Sequence, residues 1–266
     1  MNRAKKRHQK NLARKALKKK RGHPPQSPRQ TGSGVPADKL LGLAQKGLQL
    51  HQAGQLQEAE TVYRQILDIK PDFAEAHNNL GIVLRELGRL DDAVASYEKA
   101  LTFKPDYAEA NYNLGNTLRE LGQLDDAVAS YDKAIALNPD YAKAHNNLGN
   151  TLKELGRFDD AVASFQKAIA LKPDFSEANY NLGNALQDLG SLDAAAASYY
   201  KAISHKPDYA IAHNNLGTAL NKLGQLEESL SSYEKALAID PDYAEAHNNL
   251  GVVLQDLGRL EEAAAC

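Results

Sequence analysis

Asn79, Asn113, Asn147, Asn181, Asn215 and Asn249 stand 34 residues apart, each directly before a Leu-Gly pair. Gln45 holds the same place one period earlier. A carboxamide carries two N–H donors and an acceptor oxygen, so it can meet both halves of a peptide group. A row of them could grip an extended polypeptide by its main chain with little regard for its side chains. Asparagine also forms helices poorly, because its amide competes with the backbone, so six placements within an apolar-periodic pattern call for a reason. A structural reason competes with the binding one: the amides could bond neighbouring turns and set the pitch of an array.

Three places on come Asn116, Asn150 and Asn184, with Ile82, Thr218 and Val252 in the other periods. One place before the row stand Asn78, Tyr112, Asn146, Tyr180, Asn214 and Asn248. The spacing puts these sets on one helix face. A turn further lie Arg85, Arg119 and Lys153, then the neutral Gln187, Asn221 and Gln255. The first half of that face is therefore the more basic and suits an acidic or phosphorylated segment, while Glu86, Glu120 and Glu154 adjoin the cations and offer to neutralise them.

Other chemistries find little support. His77, His145 and His213 fall in alternate periods. Packed helices lie roughly 8–10 Å apart, so these side chains cannot meet at one zinc ion, and packing roles are expected for them. Paired acids such as Asp91–Asp92 and Asp125–Asp126 recur where helices start and need no acid–base role. No nucleophile elbow, zinc-helix or phosphate-loop motif is present. Repeat positions take up 14 of the 18 glycines, which leaves none for a phosphate cradle. No catalytic residue, metal or cofactor is expected, and the chain does not read as an enzyme. The single cysteine, Cys266, cannot form an internal disulfide, which suits a reducing, cytoplasmic setting.

The elements that must position these residues are set by punctuation. Pro71, Pro105, Pro139, Pro173, Pro207 and Pro241 also recur every 34 residues, a period that marks stacked supersecondary units. The units run 40–73, 74–107, 108–141, 142–175, 176–209 and 210–243, with a partial one at 244–266. In the second unit, Leu80, Leu84 and Leu87 follow a helical period, and Leu90, Ala93, Val94, Tyr97, Ala100 and Leu101 follow another. Gly88 suits a left-handed helix end, Asp91 and Asp92 favour the next helix dipole, and Pro105 stops that helix. Asp72 with Glu75 matches a capping box, repeated at Asp106–Glu109, Asp174–Glu177 and Asp242–Glu245. Gly81 and its equivalents sit mid-helix, where glycine costs roughly 1 kcal/mol relative to alanine. A close crossing against Ala93 and its equivalents would offset that cost.

Leu80, Gly81, Gly88, Ala93, Tyr97, Ala100 and Pro105, repeated down the chain, resemble the tetratricopeptide repeat. Within that family the block His-Asn-Asn-Leu-Gly-Asn is similar to the long superhelical repeats of protein O-GlcNAc transferases and their bacterial relatives. The chain departs from the common pattern at the fourth place of units two to seven, which is His or Asn rather than aromatic, and at the eleventh, which is aliphatic. The resemblance implies that the asparagine row faces a concave groove and pairs with the backbone of an extended peptide, with Asn116, Asn150 and Asn184 in support. It also implies an alternative role, as the substrate-recruiting part of a larger glycosyltransferase or other transferase that continues beyond the partial last unit.

Charge divides the chain. Residues 1–37 carry twelve Lys/Arg and no acid, whereas 38–266 carry a net −14. Residues 1–21 form a basic arm in which self-repulsion favours disorder, and 22–39 read as a Pro/Gly/Ser-rich flexible linker. The arm suits loose contact with nucleic acid or an anionic membrane surface, though it lacks aromatics for base stacking. No apolar run reaches the roughly 20 residues that span a bilayer. The fold expected is all-α, a right-handed superhelix of helical hairpins, and the function expected is that of a scaffold for a partner protein or extended peptide.

Overall fold

The computed structural model describes residues 37–264. The basic arm, the linker up to position 36 and Cys266 lie outside the described residues. The repeats form one compact unit, Leu40–Cys266. Among the described residues the order is α1 (Ala37–Gln52), α2 (Leu56–Ile69), α3 (Ala74–Glu86), α4 (Leu90–Phe103), α5 (Ala108–Glu120), α6 (Leu124–Leu137), α7 (Ala142–Glu154), α8 (Phe158–Leu171), α9 (Ser176–Asp188), α10 (Leu192–His205), α11 (Ala210–Lys222), α12 (Leu226–Ile239), α13 (Ala244–Asp256) and α14 (Leu260–Ala263). The first helix begins at Ala37, three residues before the expected Leu40. Each helix packs on the next, so the array is an α–α solenoid whose contacts run between neighbours.

The turn within a unit is closed by glycine. Gly88 has φ +74°. The Gly88 N–H donates to the Arg85 carbonyl at 2.9 Å, and the Arg89 N–H donates to the Leu84 carbonyl at 2.9 Å. This is the left-handed helix end in which two orphan carbonyls of the last turn are satisfied.

The turn between units differs from the capping box expected. The N-cap residues are Phe73, Tyr107, Tyr141, Phe175, Tyr209 and Tyr243, with no side-chain cap bond at any of them. Asp72 lies one place too early, and Glu75 instead accepts a bond from Lys104 Nζ at 3.0 Å. Other groups lock this turn. His77 Nε2 donates to the Pro71 carbonyl at 2.8 Å, and His145, His213 and His247 repeat the bond to Pro139, Pro207 and Pro241. In units three and five, Asn111 and Asn179 close the turn by donating to the carbonyls of Tyr107 and Phe175, both at 3.1 Å. The unusual fourth place of units two to seven is thus a turn lock, and the histidines serve separate turns.

The core explains the mid-helix glycines. A Cβ added at Gly81 would lie 2.6 Å from Cε1 of Tyr97, and one at Gly149 would lie 2.6 Å from Cε1 of Phe165. The group that crosses closest is therefore the aromatic ring of the second helix, where the sequence pointed to Ala93. The alanine place still lies over the glycine: in unit six Ser229 Oγ donates to the Gly217 carbonyl at 2.7 Å. Tyr97, Tyr131, Phe165 and Tyr199 are fully buried.

Candidate functional site on the first-helix face

Helices α3, α5, α7, α9, α11 and α13 carry all nine asparagines singled out above. Asn113 and Asn181 are buried, and Asn79, Asn147, Asn215 and Asn249 are half-buried, as are Asn116, Asn150 and Asn184. The row is not a line of free amides. Its donors reach back to the preceding unit, in two patterns that alternate.

Where the preceding unit reads His-Asn-Asn, the row residue donates to that unit's first asparagine. Asn113 Nδ2 reaches Asn78 Oδ1 at 3.0 Å, Asn181 Nδ2 reaches Asn146 Oδ1 at 3.0 Å, and Asn249 Nδ2 reaches Asn214 Oδ1 at 3.1 Å. Where the preceding unit reads Asn-Tyr-Asn, the row residue uses both its hydrogens. Asn147 Nδ2 donates to Tyr112 Oη at 3.1 Å and to Asn116 Oδ1 at 2.8 Å. Asn215 Nδ2 donates to Tyr180 Oη at 3.1 Å and to Asn184 Oδ1 at 3.0 Å. The oxygens of Asn147 and Asn215 accept from Asn146 and Asn214, and Asn79 Oδ1 accepts from Asn78 at 3.4 Å.

The buried tyrosines complete this network. Tyr131 Oη donates to Asn116 Oδ1 at 2.7 Å and Tyr199 Oη donates to Asn184 Oδ1 at 2.8 Å. Burial pushes both hydroxyls up in pKa, so each stays protonated and able to donate. Unit four has Phe165 at the equivalent place, and Asn150 makes no side-chain hydrogen bond among the described residues. Unit two has Ile82 at the place of that asparagine, and the buried Tyr97 hydroxyl has the Thr117 side chain beside it but no well-formed hydrogen bond among the described residues.

The amide groups therefore divide into two kinds. Asn147 and Asn215 are spent on holding one unit to the next. Among the described residues, the amide of Asn150, the NH₂ groups of Asn116 and Asn184, and the oxygens of Asn113, Asn181 and Asn249 bond to no other side chain. The tyrosine network was legible as an alternation of His-Asn-Asn with Asn-Tyr-Asn, a signal of twice the basic period.

Beside Asn116 and Asn147 opens a cleft of about 410 Å³, lined also by Arg85, Arg119, Glu120 and Glu154. Its charges pair across units rather than within one: Arg85 Nε lies 3.8 Å from Glu120 and Arg119 Nε lies 2.9 Å from Glu154, and outside the cleft Lys153 Nζ lies 3.7 Å from Asp188 in the same way.

The TPR repeat model matches residues 47–88, 82–121, 115–156, 149–190, 183–224 and 217–258. No curated protein sequence matches the chain. Among solved structures it is similar to YrrB, described as a TPR protein with an unusual peptide-binding site, at 26% identity and TM-score 0.60, over 69% of this chain and 95% of that one. It is similar to MamA at 31% identity and TM-score 0.59, over 62% of this chain and 97% of that one. PilF of Pseudomonas aeruginosa shares the fold at 20% identity and TM-score 0.69, over 79% of this chain and 95% of that one.

Proposed function

The chain belongs to the tetratricopeptide-repeat family, and we propose that it is a protein-interaction scaffold whose first-helix face holds an extended peptide or a segment of a partner protein. One observation carries the proposal: a row of amide atoms at Asn113, Asn116, Asn150, Asn181, Asn184 and Asn249 that bond to no other side chain among the described residues and stay open to solvent. These atoms keep their hydrogen-bonding capacity for a ligand, and a peptide main chain offers matching donors and acceptors. The likeness to a TPR protein described by its peptide-binding site supports the same reading. In this role Asn79, Asn147 and Asn215 shape the face through their bonds between side chains, and Asn150 is its freest contact. No described feature favours the alternative of a transferase's recruiting region. Among the described residues no helix is long and apolar enough to cross a membrane, and a cytoplasmic setting fits the lone cysteine.

The test is a titration with a peptide selected from a random library on the full chain. Replacing Asn150→Ala should weaken binding about tenfold, the equivalent of about 1.4 kcal/mol, with the unfolding midpoint unchanged. Unaltered affinity would count against the proposal.

A further inference from the structure

A cavity of about 240 Å³ opens where α10, α11 and α12 meet, and none of the asparagines discussed above lines it. Ile203 and the buried Leu216 give it apolar walls, and Tyr200 lines it while remaining 51% exposed. The equivalent places before His77, His145 and His247 carry Arg64, Asp132 and Glu234, so only before His213 does an aromatic residue hold this place. His213 also lines the cavity and is 6% exposed. Its Nε2 donates to the Pro207 carbonyl at 3.1 Å, which leaves Nδ1 as an acceptor in the neutral ring. Burial, opposed in part by the Pro207 bond and aided by Lys235, lowers the pKa of His213 and keeps the ring neutral at neutral pH. Nδ1 has no hydrogen-bond partner among the described residues and is open to solvent, unlike the sealed Nδ1 of His247. A buried side chain thus presents an open acceptor to the cavity it lines.

We propose that this cavity is a second docking site, which takes the indole of a tryptophan from a partner protein, with the indole N–H donating to His213 Nδ1. The cavity is smaller than the roughly 300–1,000 Å³ of pockets that enclose a drug-sized ligand, and it suits one large side chain. Glu228 and Lys235 also line it, and neither side chain makes an ion pair among the described residues. Their opposite signs disfavour a charged occupant of either sign. A neutral ring can lie against the Tyr200 ring and the aliphatic walls, with the Lys235 ammonium free to approach its face. Of the buried lining groups, Ser232 has given its hydrogen to the Glu228 carbonyl at 2.8 Å, so no buried donor is left for a phenol oxygen. An indole is a donor only and leaves nothing unmet. The chain has no tryptophan, so the occupant comes from another protein and not from a second copy. The site needs nothing from the first-helix face.

The experiment titrates N-acetyltryptophanamide with the full chain and follows indole emission, to which a chain without tryptophan contributes nothing. Binding should shift the emission to shorter wavelength. The 1-methyl analogue, which lacks the N–H, should bind the unaltered chain about tenfold more weakly, and the phenylalanine and tyrosine amides should compete poorly. Tyr200→Glu copies the residue of units two and six and should weaken indole binding about tenfold. His213→Asn copies the turn lock of units three and five, removes Nδ1 and should weaken it as much. Gln166→Tyr places a tyrosine at the equivalent of Tyr200 in unit four, before Asn179 in place of a histidine, and should add no binding. Asn150→Ala should change nothing. An emission that does not shift overturns the site, and so does a 1-methyl analogue that binds as tightly. Equal competition by the phenylalanine or tyrosine amide overturns the indole assignment. A gain with Gln166→Tyr would reduce the effect to stacking on any exposed tyrosine and overturn it as well. If Asn150→Ala abolishes indole binding while Tyr200→Glu leaves it intact, the ligand sits on the first-helix face and this site falls while the scaffold reading stands.

Discussion

Asparagines at equivalent places in identical-looking units do different work, and single substitutions should separate them. Asn147→Ala removes three side-chain hydrogen bonds, each worth about 1 kcal/mol net. It should lower stability by about 1–3 kcal/mol in urea unfolding, whereas Asn150→Ala, with no bond to lose, should stay within about 0.5 kcal/mol. The aromatic row makes a matching contrast. The buried Tyr97 hydroxyl has only Thr117 beside it and makes no well-formed hydrogen bond among the described residues, so Tyr97→Phe should be neutral or slightly stabilising. Tyr131→Phe breaks a 2.7 Å bond to Asn116 and should cost about 1 kcal/mol. Ile82→Asn, which copies the partner found in unit three, should stabilise the chain by satisfying Tyr97. The urea midpoint reads all three.

At the scale of the helix and turn, two glycine classes should fail for different reasons. Gly149→Leu drives a side chain into the Phe165 ring and should destabilise its unit by about 1–3 kcal/mol or more through overpacking. Gly122→Ala meets nothing within 4 Å but sits at φ +75°, so its cost is backbone strain alone, about 1–2 kcal/mol; circular dichroism melts of the two variants check both. The turn locks add a pH dependence. Burial lowers the pKa of His77, His145 and His213, with the bonds to Pro71, Pro139 and Pro207 opposing it in part. The nearby cations Lys99, Lys167 and Lys235 lower it further, and only His145 has an opposing acid, Asp132. A depressed value means the unfolded chain binds protons more readily. Stability should be full above the ordinary histidine value of about 6.5 and fall as pH drops through the lowered folded values. Replacing all three by asparagine, the residue that units three and five already use, should flatten the melting temperature between neutral pH and mild acid.

These elements were legible to different degrees. Proline and glycine spacing placed every hairpin, because a left-handed φ and a missing N–H act locally. Helix N-termini were misread: Asp72 and Glu75 have the spacing of a capping box, but the chain turns one residue later, at Phe73, and lysine draws the glutamate away. The candidate asparagines could be picked from the sequence, and the bonds between them could not. That Asn147 would point at Tyr112 depends on the offset between neighbouring units, which no local rule supplies.

Across the whole molecule, neighbour-only contacts mean that the face is as regular as the stacking of units allows. The account holds that this regularity is spent on two tasks: saturated amides fix unit to unit, and the remaining polar atoms meet a partner's main chain. The most direct measurement places a photo-crosslinking amino acid at position 150, on the first-helix face, and separately at position 166, on the exposed side of α8, and irradiates each full chain with a library-selected peptide. The account predicts crosslinks from position 150 that unlabelled peptide competes away, and none from 166. Crosslinks from 166, or from neither position while the peptide stays bound, would contradict it.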